Sequence, residues 1–174
     1  DQPSKSGFVD VPENSWYADA ADFVAQRGLM SGVGENLFGG SQNTTRAMLM
    51  TILARMDGQN VTGGATWYEK AMNWAKANGV SDGTMPEVNI TREQLAAILY
   101  RFAQHMGYDT EGQADLSGFT DLAQVSTYAR EAMAWCVDAG LLSGTSPTTL
   151  SPRGQATRAQ TAAVLMRLCQ GYGM

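Results

Sequence analysis

Residues 45–55 read TRAMLMTILAR, and the same frame returns as TREQLAAILYR at 91–101 and as TRAQTAAVLMR at 157–167. In every copy a second Arg follows nine residues after the first: Thr45-Arg46 with Arg55, Thr91-Arg92 with Arg101, Thr157-Arg158 with Arg167. Upstream of each lies another recurring frame, in which an aromatic residue precedes a Gly by twelve positions: Trp16 to Gly28, Trp67 to Gly79, Tyr128 to Gly140. Self-similarity at this scale decides the architecture before any local preference does. Each unit is a supersecondary element that can bury its apolar face only against its siblings.

Both halves of the unit carry helical periodicity. In the first half the aromatic is followed by Ala four residues on, a second aromatic seven on and an apolar residue eight on: Trp16, Ala20, Phe23, Val24; Trp67, Ala71, Trp74, Ala75; Tyr128, Ala132, Trp135, Cys136. That is the stripe of an amphipathic helix, with Phe23, Trp74 and Trp135 read as core. Gly28, Gly79 and Gly140 suit the left-handed position just past a helix C-terminus. A second glycine four residues later, Gly32, Gly83 or Gly144, closes a short turn around an apolar plug. The second half opens on a Thr suited to N-cap a helix, with Gln94 and Gln160 placed to complete a capping box and Met48 breaking it. Apolar residues at +6, +7 and +10 from the Arg (Ile52, Leu53, Met56; Ile98, Leu99, Phe102; Val164, Leu165, Leu168) make this second helix the more buried one. The three second helices are expected to form a central bundle.

The copies are not identical. Phe8-Val-Asp10-Val and Phe119-Thr-Asp121-Leu lead into the first and third, and the second has no such lead. From the second glycine to the Thr the first and third span 13 positions and the second spans eight, so Phe38 and Leu150 have no clear equivalent in the short loop.

The bulk composition narrows the function classes. At 174 residues with 44% apolar and 17% charged side chains, the chain is of ordinary globular make-up. A net charge of −5 with only 12 Lys and Arg argues against nucleic acid, which needs a basic face. No apolar run is long enough to span a bilayer, and no signal-peptide pattern is present. The opening at Asp1 without Met reads as a processed or excised segment. Cys136 and Cys169 fall at apolar helical positions, as two buried thiols or one bridge between the helices. An enzyme is not expected: the chain has one His, His105, no paired carboxylates for hydrolysis, no metal-ligand spacing and no cofactor motif. Asp109, Glu111 and Asp115 do not fit a calcium loop and read as a solvated linker.

The recurring Arg carries the functional question. With Thr as N-cap, Arg46, Arg92 and Arg158 occupy the first helical position, where a cation is unfavourable by about 0.3 to 1 kcal/mol. Two readings account for that choice. In one, the stem packs on an aromatic ring and the guanidinium bridges to an acid such as Asp10 or Asp121. In the other, the guanidinium fork and the helix N-terminus together hold an anion. Arg55, Arg101 and Arg167 stand near the helix end, where a cation is favourable, and read as structural.

Taken together, these residues resemble the S-layer homology family, whose repeat begins Phe-x-Asp-Val, starts its first helix on Trp, turns at Gly-apolar-apolar-x-Gly and opens its second helix on Thr-Arg-Ala-Glu. The likeness runs from Phe8 to Gln170 in three tandem copies, 1–60, 61–112 and 113–174, specific in the first and third and pared down in the second. The usual Glu is replaced by Met48, Gln94 and Gln160. The resemblance implies an all-α fold of three helix-loop-helix repeats in a pseudo-threefold spindle around a central three-helix bundle. It further implies an extracellular, cell-wall-associated module of a bacterial surface protein, attached to another domain. The implied activity is non-covalent anchoring to secondary cell-wall polysaccharide, often with pyruvylated amino sugars, in grooves between repeats.

Carried over by motif, Arg46, Arg92 and Arg158 would bind charge, beside the lead-in acids Asp10 and Asp121. Trp16, Trp67 or the smaller Tyr128 would cover the apolar face of a sugar. The turn residues Ser31, Gly32, Asp82, Gly83, Ser143 and Gly144 would add hydroxyl and backbone contacts. The second copy's missing lead and short loop make its groove the expected inactive one. The alternative from a different class is a protein-interaction or surface-layer assembly module without direct glycan binding.

Overall fold

The computed structural model describes residues 7–173, and within them the chain is all-α, with no strand beyond isolated bridges. The opening at Asp1 lies outside the described residues. Six α-helices are present among those described: α1 (Ala18–Gln26), α2 (Arg46–Met56), α3 (Glu69–Ala77), α4 (Arg92–His105), α5 (Arg130–Asp138) and α6 (Arg158–Gly171). None is long and apolar enough to cross a membrane. Buried residues fill seven of eleven positions in α2 and nine of fourteen in α4 and in α6, against five, four and five of nine in α1, α3 and α5. The second helix of each repeat is therefore the more buried, as its apolar spacing demands.

The chain divides into two compact units, Asp1–Thr44 with Thr157–Met174, and Thr45–Ala156. In the first, α1 packs on α6, Val24, Phe38, Leu165 and Leu168 are buried, and Thr44 and Thr161 share a buried hydroxyl contact at 2.9 Å. In the second, α3 packs on α2 and α5 on α4. A first helix thus packs on the second helix of a different repeat. The Asp57 carboxylate at the end of α2 ties one such pair by accepting from Trp74 Nε1 of α3 at 2.9 Å, and it also meets His105 Nε2 of α4 at 3.0 Å. Both cysteines are buried free thiols.

The first helices end as expected. Gly28, Gly79 and Gly140 have φ of 69°, 70° and 74°, and the next residue's N–H reaches back to Val24, Ala75 and Cys136 respectively. This is the Schellman arrangement, with buried Leu29, Val80 and Leu141 as the accompanying apolar contact. Their beginnings differ from the periodicity. Trp16 and Trp67 lie two residues ahead of α1 and α3, and Tyr128 sits in a 3-10 turn, Thr127–Ala129, before α5. The aromatic is therefore not the first member of the buried stripe, and it stays exposed: 68% for Trp16, 60% for Trp67 and 55% for Tyr128. Trp74 and Trp135 are core, whereas Phe23 is half-buried beneath the Arg27 guanidinium.

Thr45, Thr91 and Thr157 all N-cap their helices, each accepting at 3.2 Å from the N–H three residues on. Gln94 completes its capping box, donation running from Thr91 N to its Oε1 at 3.0 Å. Gln160 does not; its Oε1 is buried without a partner among the described residues. Met48 closes the box after a fashion, its thioether taking the Thr45 N–H at 3.4 Å, because sulfur is a weak acceptor that reaches the same place.

Candidate functional site

The loop that precedes each second helix does the same work in every copy. Arg158 Nε donates to Phe38 O at 3.0 Å, Arg46 Nε to Thr84 O at 3.0 Å and Arg92 Nε to Leu150 O at 2.9 Å. The residue after each acceptor is left-handed: Gly39 at φ 72°, Met85 at 52° and Ser151 at 52°. One residue further, the carbonyls of Gly40, Pro86 and Pro152 accept from the second N–H of α6, α2 and α4, and those of Gln42, Val88 and Gly154 accept from the first. Thr84 is thus the counterpart of Phe38 and Leu150. The short loop has lost only the excursion that residues 33–37 and 145–149 make in the other copies. Met85 is exposed and holds a conformation that disfavours a side chain, so Met85→Gly is expected to raise stability by about 0.5 kcal/mol in urea unfolding. A fall would mean that the thioether makes contacts worth more than the strain.

Asp10 and Asp121 act one peptide away from the Arg. Asp10 accepts from the N–H of Phe38 and of Gly39, both at 2.8 Å, and Asp121 from those of Leu150 and Ser151 at 2.9 and 2.8 Å. Each therefore clamps the turn whose carbonyl takes the guanidinium. Burial alone would raise Asp121, but these N–H groups and the Arg92 charge outweigh it and hold its carboxyl below the usual range. The second copy lacks a lead-in Asp, and Asp82 takes over from inside the turn. Its Oδ1 accepts from Thr84 N at 2.9 Å, from Thr84 Oγ1 at 2.7 Å and from Arg46 Nη2 at 3.1 Å.

This bonding engages the donors of the expected anion site. The first two N–H groups of α2, α4 and α6 go to loop carbonyls and the third to the Thr cap, so the helix N-termini have no free donors for a ligand. The Nε–Nη2 edge of each guanidinium is also spent, since Nη2 donates to Ser81 Oγ and Asp82 from Arg46, to Ser143 O from Arg92 and to Ser31 O from Arg158. Arg92 and Arg158 are only 6% and 5% exposed, and Arg158 lies over the Phe38 ring with Cζ 5.1 Å from its centroid. Burial lowers the pKa of both, with Asp121 and Asp10 respectively working against it. Ser31 and Ser143 are thus engaged through their carbonyls. Gly32 and Gly144 are tight packing points: a Cβ on Gly32 would stand 2.6 Å from Leu37 O, and one on Gly144 2.5 Å from Thr149 O.

Arg46 is different. Without the loop excursion its side chain remains 13% exposed, and it lines a cleft of about 430 Å3. Gly79, Ser81 and Asp82 of the second copy's turn form one wall. Gln94, Ile98 and Arg101 of α4 form another, and Tyr128 of the third copy the next. Three repeats meet here, and the cleft brings together Arg46, Asp82 and Tyr128 from the motif-based set. It belongs to the short-looped copy expected to be inactive. The shorter loop has the opposite geometric effect, because it uncovers the guanidinium that the longer loops bury. Glu93, buried in α4, accepts from Ser126 N at 2.8 Å and from Ser126 Oγ at 2.9 Å, fixing the turn that carries Tyr128. Partial burial and the Glu93 charge push the Tyr128 hydroxyl above its ordinary pKa, while Arg101 and Arg46 pull it down, which sets the phenol within the field of both cations.

The motifs named neither Gln94 nor Arg101 as site residues. Their spacing along α4 with Ile98, at i, i+4 and i+7, was the available signal. Trp16 and Trp67 are exposed rings braced edge-on by the following Tyr17 and Tyr68, at centroid distances of 5.1 and 5.3 Å. Gly83 is left-handed at φ 76° beside the Lys76 stem.

The family profile described as S-layer homology domain matches residues 7–47 and 118–162, the first and third copies. Those two stretches are S-layer homology repeats. It is 26% identical over 180 residues to the amylopullulanase of Thermoanaerobacterium thermosulfurigenes, covering 95% of this chain and 10% of that protein. It is 26% identical over 181 residues to the surface-layer 125 kDa protein of Lysinibacillus sphaericus, covering 94% and 15%. Over 176 residues it is 26% identical to the cellulosome-anchoring protein of Acetivibrio thermocellus, covering 91% and 38%. The chain therefore spans well under half the length of these relatives, and its likeness to the enzyme among them is confined to one tenth of that enzyme. It is a cell-surface anchoring module, located at the cell wall.

Proposed function

We propose that this module holds a larger surface protein on the cell wall by binding acidic secondary cell-wall polysaccharide, with a pyruvylated amino sugar seated in the cleft between Arg46, Arg101 and Tyr128. The observation that carries this reading is the cleft itself. It sets two guanidinium groups, an amide and a hydroxyl beside an exposed aromatic ring in a volume suited to one sugar residue. The apolar floor of Ala97 and Ile98 and the phenol ring suit the C–H face of a pyranose, and the cations suit a carboxylate. Trp16 and Trp67 offer further sugar platforms, and the three copies divide at 60/61 and 112/113. Sacculi that retain their polysaccharide are expected to pull the protein from solution, and chemically depyruvylated sacculi are not. Equal retention on both would remove the pyruvate from the reading. No retention on intact sacculi would leave the module to protein-interaction or lattice-assembly work instead.

A further inference from the structure

Resting on that reading, the electrostatics of the cleft identify which cation meets the ligand. Arg46 is held by Thr84 O, Ser81 Oγ and the Asp82 carboxylate, and its charge is already matched by Asp82 in an ion pair of 3.1 Å. Arg101 is exposed and makes no hydrogen bond or ion pair among the described residues, although it lines the same cleft. Glu93, the nearby acid on α4, has both oxygens on Ser126. Arg101 is therefore the one guanidinium of the cleft without a partner among the described residues, in a site where the Asp82 and Glu93 carboxylates, the second bonded only to a neutral serine, offset the two cations. We propose that Arg101 is the anion-binding residue of the cleft and that Asp82 is a built-in counter-ion limiting it to singly charged ligands, so that a sugar carboxylate is taken in preference to a sugar phosphate. A carboxylate on Arg101 pairs with the one guanidinium that has no internal partner, with the Gln94 N–H2 group and the Tyr128 hydroxyl in the same cleft to bond its neighbours. A phosphate dianion brings a second negative charge into a site where Asp82 already occupies Arg46, and like charges at such range repel.

The test uses retention on polysaccharide-bearing sacculi, with glucuronate and glucose 6-phosphate as soluble competitors. Arg101→Gln is expected to weaken retention by about tenfold or more, the size of a lost charge-assisted hydrogen bond. Its melting temperature should be unchanged, because the side chain has no internal partner. Arg101→Lys should keep part of the affinity, and Arg55→Gln, at the matching position of α2, should bind as the parent does. Glucuronate should displace the parent protein at lower concentration than glucose 6-phosphate, and Asp82→Asn should narrow or reverse that order. If the parent is retained and Arg101→Gln is retained equally well, the assignment of Arg101 is wrong while the glycan reading stands. If Asp82→Asn weakens retention of both kinds of ligand, Asp82 positions Arg46 for binding and is not a counter-ion. A parent protein that intact sacculi do not retain overturns the glycan reading and this inference with it.

Discussion

Arg158→Ala is expected to lower folding stability by about 3 kcal/mol, and Arg92→Ala by a similar amount. Each guanidinium is buried and supplies the donors for two backbone carbonyls, Phe38 O and Ser31 O in one case and Leu150 O and Ser143 O in the other. Truncation strands those carbonyls and leaves Asp10 or Asp121 without the cation in whose field it sits. It also empties the space over the Phe38 ring. Two terms run the other way. A desolvated cation is removed, and so is a positive charge from a helix N-terminus, which is worth about 0.3 to 1 kcal/mol. They reduce the loss without cancelling it. In a chain of this length the fall in Tm is roughly 6 to 12 °C. Arg158→Met keeps the stem over Phe38 but not the donors, so it separates packing from hydrogen bonding. Arg46→Ala should cost less, about 1 kcal/mol, because its ion pair with Asp82 is partly solvated. Thermal and urea unfolding of the four proteins decide the matter. An Arg158→Ala protein that unfolds like its parent would return that residue to the list of ligand-binding groups.

Local chemistry was legible in the sequence wherever one residue type answers one backbone need. Gly28, Gly79 and Gly140 stop helices because the left-handed position excludes most side chains, and Thr45, Thr91 and Thr157 start them because a hydroxyl can accept the third N–H. The +6, +7, +10 apolar frame located the buried face for the same reason. Partnership between repeats was not legible. Spacing inside a unit says which face a helix buries and nothing about whose face meets it, so the packing of α3 on α2 and of α5 on α4 is visible only in the folded chain. The Arg shows the same limit. Its place at the first helical position was readable, as was the electrostatic oddity of that place. The receiving carbonyls lie 38, 58 and 120 residues away in the chain and present no side-chain pattern. Its place in the turn motif marks Asp82 as a ligand contact. Only the geometry shows it replacing the absent lead-in acid, with Thr84 where Phe38 and Leu150 stand. Nothing in the sequence singles out Arg101, because a cation near a helix C-terminus needs no further explanation, and its counterparts Arg55 and Arg167 do have interactions of their own.

Asp121→Asn is expected to destabilise the protein by about 2 kcal/mol at neutral pH, and that deficit should shrink on acidification. The carboxylate accepts from two successive backbone N–H groups through both oxygens, and an amide of the same size can offer only one acceptor. The other end would bring an N–H2 against Leu150 N or Ser151 N, donor facing donor. The turn so loosened is the one whose carbonyl holds the buried Arg92, so the two effects fall on a single structural link. The pH dependence has a definite sign. Asp121 titrates below its ordinary value in the folded chain, which means the unfolded state takes up the proton first. Its stabilising effect is complete above the unfolded value of about 4 and is lost as pH falls through the lower, folded value. The parent therefore gives up this contribution in acid, whereas the Asn protein has no proton to gain at that position and has already lost it. Urea unfolding of the pair at pH 7, 5 and 3 should show curves that converge toward the acid end. A difference that stays constant across that range would show that the Asp121 charge contributes nothing, and that the clamp on Leu150 and Ser151 is a matter of shape.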